Sequence, residues 1–278
     1  MEPKISIITI TYNAAQSLRR TLDSVVCQTY PHIEHLIIDG ASTDATLAIA
    51  EEYKSRSPHQ VVITSEPDHG IYDAMNKGLQ RATGHYLVFL NAGDSLHAAD
   101  TIEIVAAAAM SKFQPSNQKL QTSNFKLQTS NFRLQTSDLP AVIYGDTTIT
   151  DDEGHFLRMR RLRPPRQLSW RSFRQGMLVC HQAFYARTDL ARQTPYDLHF
   201  RHSSDVDWCI RLMKEAERRH LALLNTHAVL ADFAEGGDTT QHHRDSLFER
   251  FSVMRRHYGL LTTLAMHAWF VVRAVVKK

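Results

Sequence analysis

Cysteine is scarce: only Cys27, Cys180 and Cys209 occur in 278 residues, with no CxxC pair and no even-numbered framework. That excludes a secreted disulfide scaffold and a thiolate zinc site, and points to a reducing, cytoplasmic setting. No signal-peptide cleavage pattern follows the N-terminus, where MEPKISIITI holds an acid and a proline and then runs into an apolar, strand-like stretch. Long apolar runs are missing as well. The longest C-terminal stretch free of Lys, Arg, Asp and Glu, from Tyr258 to Val272, falls short of the roughly 20 residues that span a bilayer. Net charge is only +3 and unevenly placed: the chain carries +5 from Gln241 onward and −2 over residues 1–240. The main domain has no basic face with interleaved aromatics, so nucleic acid is not an expected partner.

What is present is a globular composition, 43% hydrophobic and 22% charged, enough for a sizeable core. The first hundred residues alternate short β-branched runs with helical patterns. Strands are expected at Ile5 to Ile10, His35 to Ile38, Val61 to Thr64 and Tyr86 to Leu90. Helices are expected at Ser17 to Cys27, at Ser42 to Tyr53 behind a Ser/Thr/Asp cap, and at Ile71 to Ala82. This rhythm predicts a parallel sheet with helices on both faces, whose ligands sit at the carboxyl ends of the strands. The polar residues cluster at those ends: Thr11, Tyr12 and Asn13, then Asp39, then Glu66 and Asp68, then Asn91 to Asp94. Gathered carboxylates become favourable when they bind a hard divalent cation, a ring amide or sugar hydroxyls.

Further on, NQKLQTSNFKLQTSNFRLQTSD at 117–138 repeats a seven-residue unit whose apolar positions do not fit a coiled coil, and it reads as an inserted surface loop. A strand is expected at Ala141 to Tyr144, a hairpin turn at Asp152 to Gly154, a helix at Asp205 to Glu217, and a polar loop at 234–243 able to move over a ligand.

The runs SIITITYNAAQSLRRTLDSVVCQTYPHIEHLIIDGASTDAT and SEPDHGIYDAMNKGLQRATGHYLVFLNAGDSL resemble the nucleotide-sugar half of bacterial GT-A fold family 2 glycosyltransferases of polysaccharide assembly. A weaker resemblance continues through CHQAFYAR and SSDVDWCIRL. It implies an α/β, Rossmann-like mixed sheet with helices on both faces and a C-terminal helical tail. The chain then divides into a nucleotide-sugar-binding half (1–110), the repeat insert (111–138), an acceptor-binding and catalytic half (139–240) and a basic amphipathic tail (241–278).

The resemblance also implies roles. Tyr12, flanked by Thr11 and Asn13, stacks on a uracil whose ring imide Asp39 bonds; Asp68 lines the donor site, and Lys77 offers charge to the diphosphate. Asp94 matches the last acid of a DxD-like motif that holds Mn²⁺ or Mg²⁺; Asn91 and Gly93 replace acids often found there, so ligation rests mainly on Asp94. Asp205 is the expected base, with Ser204 where a glutamate often stands and Asp207 as the nearest rival. His181 and Gln182 match a donor or acceptor contact position. One base assisting direct attack implies inversion. A sugar-phosphate nucleotidyltransferase would need a glycine-rich, basic N-terminal phosphate loop, absent from SIITITYNAAQS. The other alternative is a degenerate nucleotide-sugar-binding or assembly protein.

In the tail, Leu247, Phe248, Phe251, Met254 and Tyr258 recur at helical spacing, and the stripe continues through Leu260, Leu261, Leu264, Trp269 and Val272. Two readings stand: an interfacial helix with Trp269 at headgroup level and Arg273, Lys277 and Lys278 on anionic lipid, or a helix docked on the protein's own core or on a second copy in a homodimer. The first makes a lipid-linked saccharide a sensible acceptor and places the protein peripherally on the inner face of the cell membrane.

Overall fold

Residues 5–11 are almost entirely β-branched, which suits a pleated strand packed on both faces. In the computed structural model, which describes residues 2–111, 139–235 and 243–276, they form β1 (Ile5–Thr11), buried throughout. The repeat at 117–138, most of the polar loop at 234–243, and Lys277 and Lys278 lie outside the described residues. Parallel to β1 run β2 (Ile33–Asp39) on one side and β4 (Tyr86–Phe89) on the other, with β3 (Gln60–Ser65) beyond β2. The crossovers are α1 (Leu18–Val26), α2 (Thr46–Arg56) and α3 (Ile71–Arg81).

Next come β5 (Ser95–Leu96), α4 (Thr101–Met110), β6 (Val142–Thr150), β7 (Phe156–Met159), β8 (Phe184–Arg187), α5 (Thr188–Arg192), α6 (Ser204–Arg218) and β9 (Leu223–Ala234). Among the described residues the strands join in one sheet ordered β3-β2-β1-β4-β8-β6-β9-β5, with β7 paired to β6. The expected parallel arrangement ends at β4, because β8 runs antiparallel to it. The sheet is therefore mixed. Helix α3 and α6 cover one face around Leu79, Phe89 and Trp208, and α1 and α4 cover the other around Val25, Val88 and Val105.

Helix α2 starts at Thr46 rather than Ser42. The reason is local: Asp39 takes the Ser42 N–H, Asn13 the Thr43 N–H and Asp44 the Thr46 N–H, so the preceding residues are tied into a loop.

The tail is two helices, α7 (His243–Tyr258) and α8 (Leu260–Val276), separated by Gly259, whose φ of 80° no helical residue adopts. Helix α7 docks on the protein's own core: Val253 and Met254 are buried, and the Tyr258 hydroxyl donates to the Trp170 carbonyl at 2.6 Å. Helix α8 keeps Leu261, Leu264, Trp269, Val271 and Val272 exposed. No helix among the described residues is long and apolar enough to cross a membrane.

Candidate active site

Register brings three polar side chains together at the carboxyl edge of the parallel strands. Thr11 pairs with Asp39 and Asp39 with Ser65, so Thr11 Oγ1 (3.0 Å) and Ser65 Oγ (2.7 Å) both donate to the Asp39 carboxylate. Ser42 adds its N–H at 2.9 Å and its hydroxyl at 2.5 Å. Burial alone would raise the Asp39 pKa, but the bonds from Ser42, Ser65 and Thr11 outweigh it and hold the carboxyl below its usual range. Asp39 has no exposed surface, and four donors fill its lone pairs. A nucleobase that bonds Asp39 must displace one of those hydroxyls.

Tyr12 stands above this buried knot, 67% exposed. Gly40 beside it makes room for Asp68: a Cβ there would lie 2.5 Å from Asp68 Oδ2 and would only touch Tyr12 Cδ2, at 3.4 Å. Asp68 is steadied by the Gly70 N–H on its other oxygen at 2.9 Å. Asn13 sits at φ 47°, a conformation asparagine tolerates, with its carbonyl oxygen on the Thr43 N–H (2.9 Å) and its own N–H on Ser42 Oγ (2.8 Å). Thr11 and Asn13 thus brace the loops. The Lys77 ammonium is held on the Pro67 carbonyl at 2.7 Å, with Glu66 at 3.6 Å and Asp73 at 3.7 Å.

A second group forms across β4 and β8. Asp94, 5% exposed, accepts from Gln182 Nε2 at 2.6 Å and from the Ala234 N–H at 3.1 Å. The Cys180 thiol donates to Gln182 Oε1 at 2.6 Å, which fixes the amide so that its NH₂ faces Asp94. Burial pushes the Asp94 pKa up to about 6, against the lowering pull of those two bonds.

His181 lies between the two halves of the chain. Its Nε2 is 3.2 Å from Asn91 Nδ2 and its Nδ1 is 3.5 Å from Asp205 Oδ2. The Tyr72 hydroxyl donates to the other Asp205 oxygen at 3.3 Å. Burial raises the Asp205 pKa, but His181, Arg250 and the Val206 N–H more than compensate and hold it below the usual carboxylate range. Asp207, the rival base, has no exposed surface, and its oxygens are taken by Arg211 Nε (2.6 Å) and His257 Nε2 (2.8 Å).

Among the described residues the Asn91 Oδ1 atom is buried without a hydrogen-bond partner, in the same loop that carries Asp94. One carboxylate and one carboxamide oxygen are hard donors, of the chemical kind that a divalent cation such as Mn²⁺ or Mg²⁺ takes. A separate group with metal-ligand spacing, Asp151, Glu153 and His155, lies at the β6–β7 turn, where the Asp151 carboxylate already takes the His155 N–H at 2.7 Å.

Sequence reasoning missed Tyr72, Thr21 and Cys180. Tyr72 was visible inside EPDHGIYDAMNKG, but its reach to a carboxylate on another element was not. Thr21 accepts the Gly93 N–H at 2.9 Å and donates to the Asp94 carbonyl at 2.7 Å, so α1 pins the NAGD loop.

The profile described as Glycosyl transferase family 2 matches residues 6–126. A PGL/p-HBAD biosynthesis glycosyltransferase of Mycobacterium bovis is 31% identical over 99% of this chain and 95% of its own length. The putative teichuronic acid biosynthesis glycosyltransferase TuaG of Bacillus subtilis is 39% identical over 34% of this chain and 37% of its own. S. aureus TarS 1–349 in complex with UDP-GlcNAc superimposes with a TM-score of 0.67 at 16% identity, covering 91% of this chain and just 64% of the TarS fragment. The mannosyltransferase PcManGT of Pyrobaculum calidifontis, in complex with GDP-Man and Mn²⁺, gives 0.58 at 16% identity over 98% of this chain and 76% of that one. At such low identity the structures establish the shared GT-A fold. Similarity to the mycobacterial enzyme from end to end, together with the profile match across the β1-to-α4 half, shows that the chain belongs to glycosyl transferase family 2.

Proposed function

We propose that the chain transfers a sugar from a nucleotide-diphosphate donor, with UDP as the expected nucleotide, to a hydroxyl of a saccharide or lipid-linked acceptor, with inversion, in cell-surface polysaccharide assembly. The observation that carries this reading is the chain Asn91–His181–Asp205, which sets a carboxylate of the acceptor half beside the Asp94 loop of the donor half. The names of the mycobacterial relative and TuaG support the pathway class, and the ligands of the TarS and PcManGT complexes support a nucleotide sugar.

In this reading Tyr12 stacks on the base, Asp68 faces the donor, and Lys77 leaves Pro67 to meet the diphosphate. Uracil reaches Asp39 by replacing Ser42 or Ser65. Asp94 and Asn91 would hold Mn²⁺ or Mg²⁺, which when bound neutralises charge on the departing nucleotide diphosphate. Asp205 takes the proton of the attacking hydroxyl, and His181 and Tyr72 orient it. Thermal-shift measurements against UDP, GDP, dTDP and CDP, with and without Mn²⁺, test the donor site. One nucleotide is expected to raise Tm in a Mn²⁺-dependent way, and Asp94→Ala to remove that dependence. A Tm unmoved by all four leaves the assembly-partner reading in its place.

The tail reading follows from α8. Helix α7 is spoken for by the core, whereas Leu261, Trp269 and Val271 of α8 are 83%, 54% and 64% exposed, in the most basic part of the chain. We infer that α8 lies in the interface of an anionic membrane, which brings a lipid-linked acceptor to Asp205. The full chain is expected to sediment with phosphatidylglycerol vesicles and not with phosphatidylcholine ones, and Leu261→Asp with Val271→Asp to release it. A concentration-dependent dimer that these changes dissociate, with no vesicle binding, would assign the same face to a second copy.

A further inference from the structure

The base is carried on a segment that the tail holds from outside. Helix α6, whose first turn contains Asp205, has no side-chain cap on its N-cap residue Ser203. Ser204 does not provide one, since its hydroxyl donates back to the Asp197 carbonyl at 2.8 Å. The backbone N–H groups of the segment that leads into the helix also need acceptors, and for residues 201–203 the acceptor comes from α7. One oxygen of Glu249 takes the Arg201 N–H at 2.8 Å, and the other takes the His202 and Ser203 N–H groups at 2.7 and 3.0 Å.

Other bonds join the same two segments. Ser203 Oγ donates to the Ser246 carbonyl at 3.3 Å, Arg256 bonds Asp197 at 2.6 Å, and His257 bonds Asp207 at 2.8 Å. Those to Asp197 and Asp207 flank the segment. Among the described residues, Glu249 is the side chain that engages the three consecutive N–H groups of 201–203, ahead of Asp205. Beyond it, α6 is anchored by Trp208, fully buried and stacked on Tyr196 with ring centroids 4.9 Å apart. The backbone that enters the first turn is therefore held by the Glu249 clamp, beside the side-chain bonds of Ser204 and Asp207, and with it the aim of the Asp205 carboxylate between Tyr72 and His181.

We propose that Glu249 is a positioning residue for sugar transfer, acting through the backbone of residues 201–203 on Asp205. The inference rests on Asp205 being the base. A misplacement of about 1 Å at a reacting group is enough to cost on the order of 10²-fold in rate.

The test uses the full chain and nucleotide release, with water as acceptor, from whichever of UDP-glucose, UDP-galactose, UDP-N-acetylglucosamine, GDP-mannose and dTDP-rhamnose is turned over fastest. Glu249→Ala is expected to lower kcat by about 10- to 100-fold with donor KM within about twofold. Glu249→Gln, which keeps one acceptor oxygen, is expected to fall between Ala and the parent, and it carries the comparison if the alanine variant does not fold. Asp205→Asn combined with either change is expected to be no slower than Asp205→Asn alone, because Glu249 acts only through Asp205. A merely structural contact would multiply the two losses, and that result overturns the proposal. Amide exchange adds a readout that needs no turnover: unchanged exchange at residues 201–205 in Glu249→Ala, or in Glu249→Gln if only that variant folds, also overturns it. Full activity of Asp205→Asn would instead remove the base assignment, whatever Glu249 does.

Discussion

Asp205→Asn is expected to lower kcat by about 10²- to 10⁴-fold while leaving the nucleotide-induced rise in Tm intact. The substitution keeps size and shape, and an asparagine oxygen still accepts from Tyr72. What it loses is the capacity to take a proton. The environment of Asp205 is arranged to keep that capacity: burial works against the charge, and His181, Arg250 and the helix N–H prevail, so the carboxylate is ionised at neutral pH. Its proton-accepting form is consequently present over the whole neutral range, and with Mn²⁺ saturating, the acid limb that Asp205 contributes to kcat/KM is expected below the usual carboxylate region in the parent. A kcat within about tenfold of the parent would assign the proton transfer elsewhere. A lost Tm response would mean that Asp205 belongs to the donor site.

Asp94→Ala is expected to cost about 10²-fold or more in turnover and to abolish its Mn²⁺ dependence. A pH signature separates this from simple loss of packing. With the Asp94 pKa pushed up to about 6 by burial, the free protein holds a proton there at lower pH. A cation competes with that proton, so apparent Mn²⁺ affinity should be flat above the pKa and weaken by about tenfold per unit below it. Calorimetric titration with Mn²⁺ and the preferred nucleotide, at several pH values, reads the slope. Affinity independent of pH across this range would take Asp94 out of the cation site.

The β1-to-α4 half was legible because its elements are short, regular and punctuated. The β-branched runs of β1 and β2 announce buried strands, and in a parallel sheet their carboxyl ends are the ligand edge, so Thr11, Tyr12, Asp39 and Asp94 stood out as a set. What they touch was not legible. Asp39 reads as an open acceptor until Ser42, from the loop before α2, and Ser65, from the end of β3, are seen to fill it. Asn13 reads as a ligand contact, yet its amide oxygen braces the Thr43 N–H. Tyr72 meets Asp205 across 133 residues, a separation for which no local pattern leaves a trace. In the tail, apolar spacing runs through Gly259 without interruption, so periodicity alone joined a docked helix to an exposed one.

The place of His181 links events that are chemically distinct. An ionised Asp205 can only accept, which calls for the ring N–H at Nδ1 and, in a neutral ring, leaves a lone pair at Nε2. Asn91 must then present its NH₂ to that lone pair, and the amide's oxygen is turned the other way, into the buried position where it has no partner. Tautomer, amide orientation and ionisation form one linked sequence of choices, like a row of switches thrown together. If Asn91 holds the cation and Asp205 is the base, a cation drawn to the Asn91 oxygen would favour the same setting that readies Asp205, so that arrival of the donor would prime the acceptor side, and the coupling would run equally in reverse.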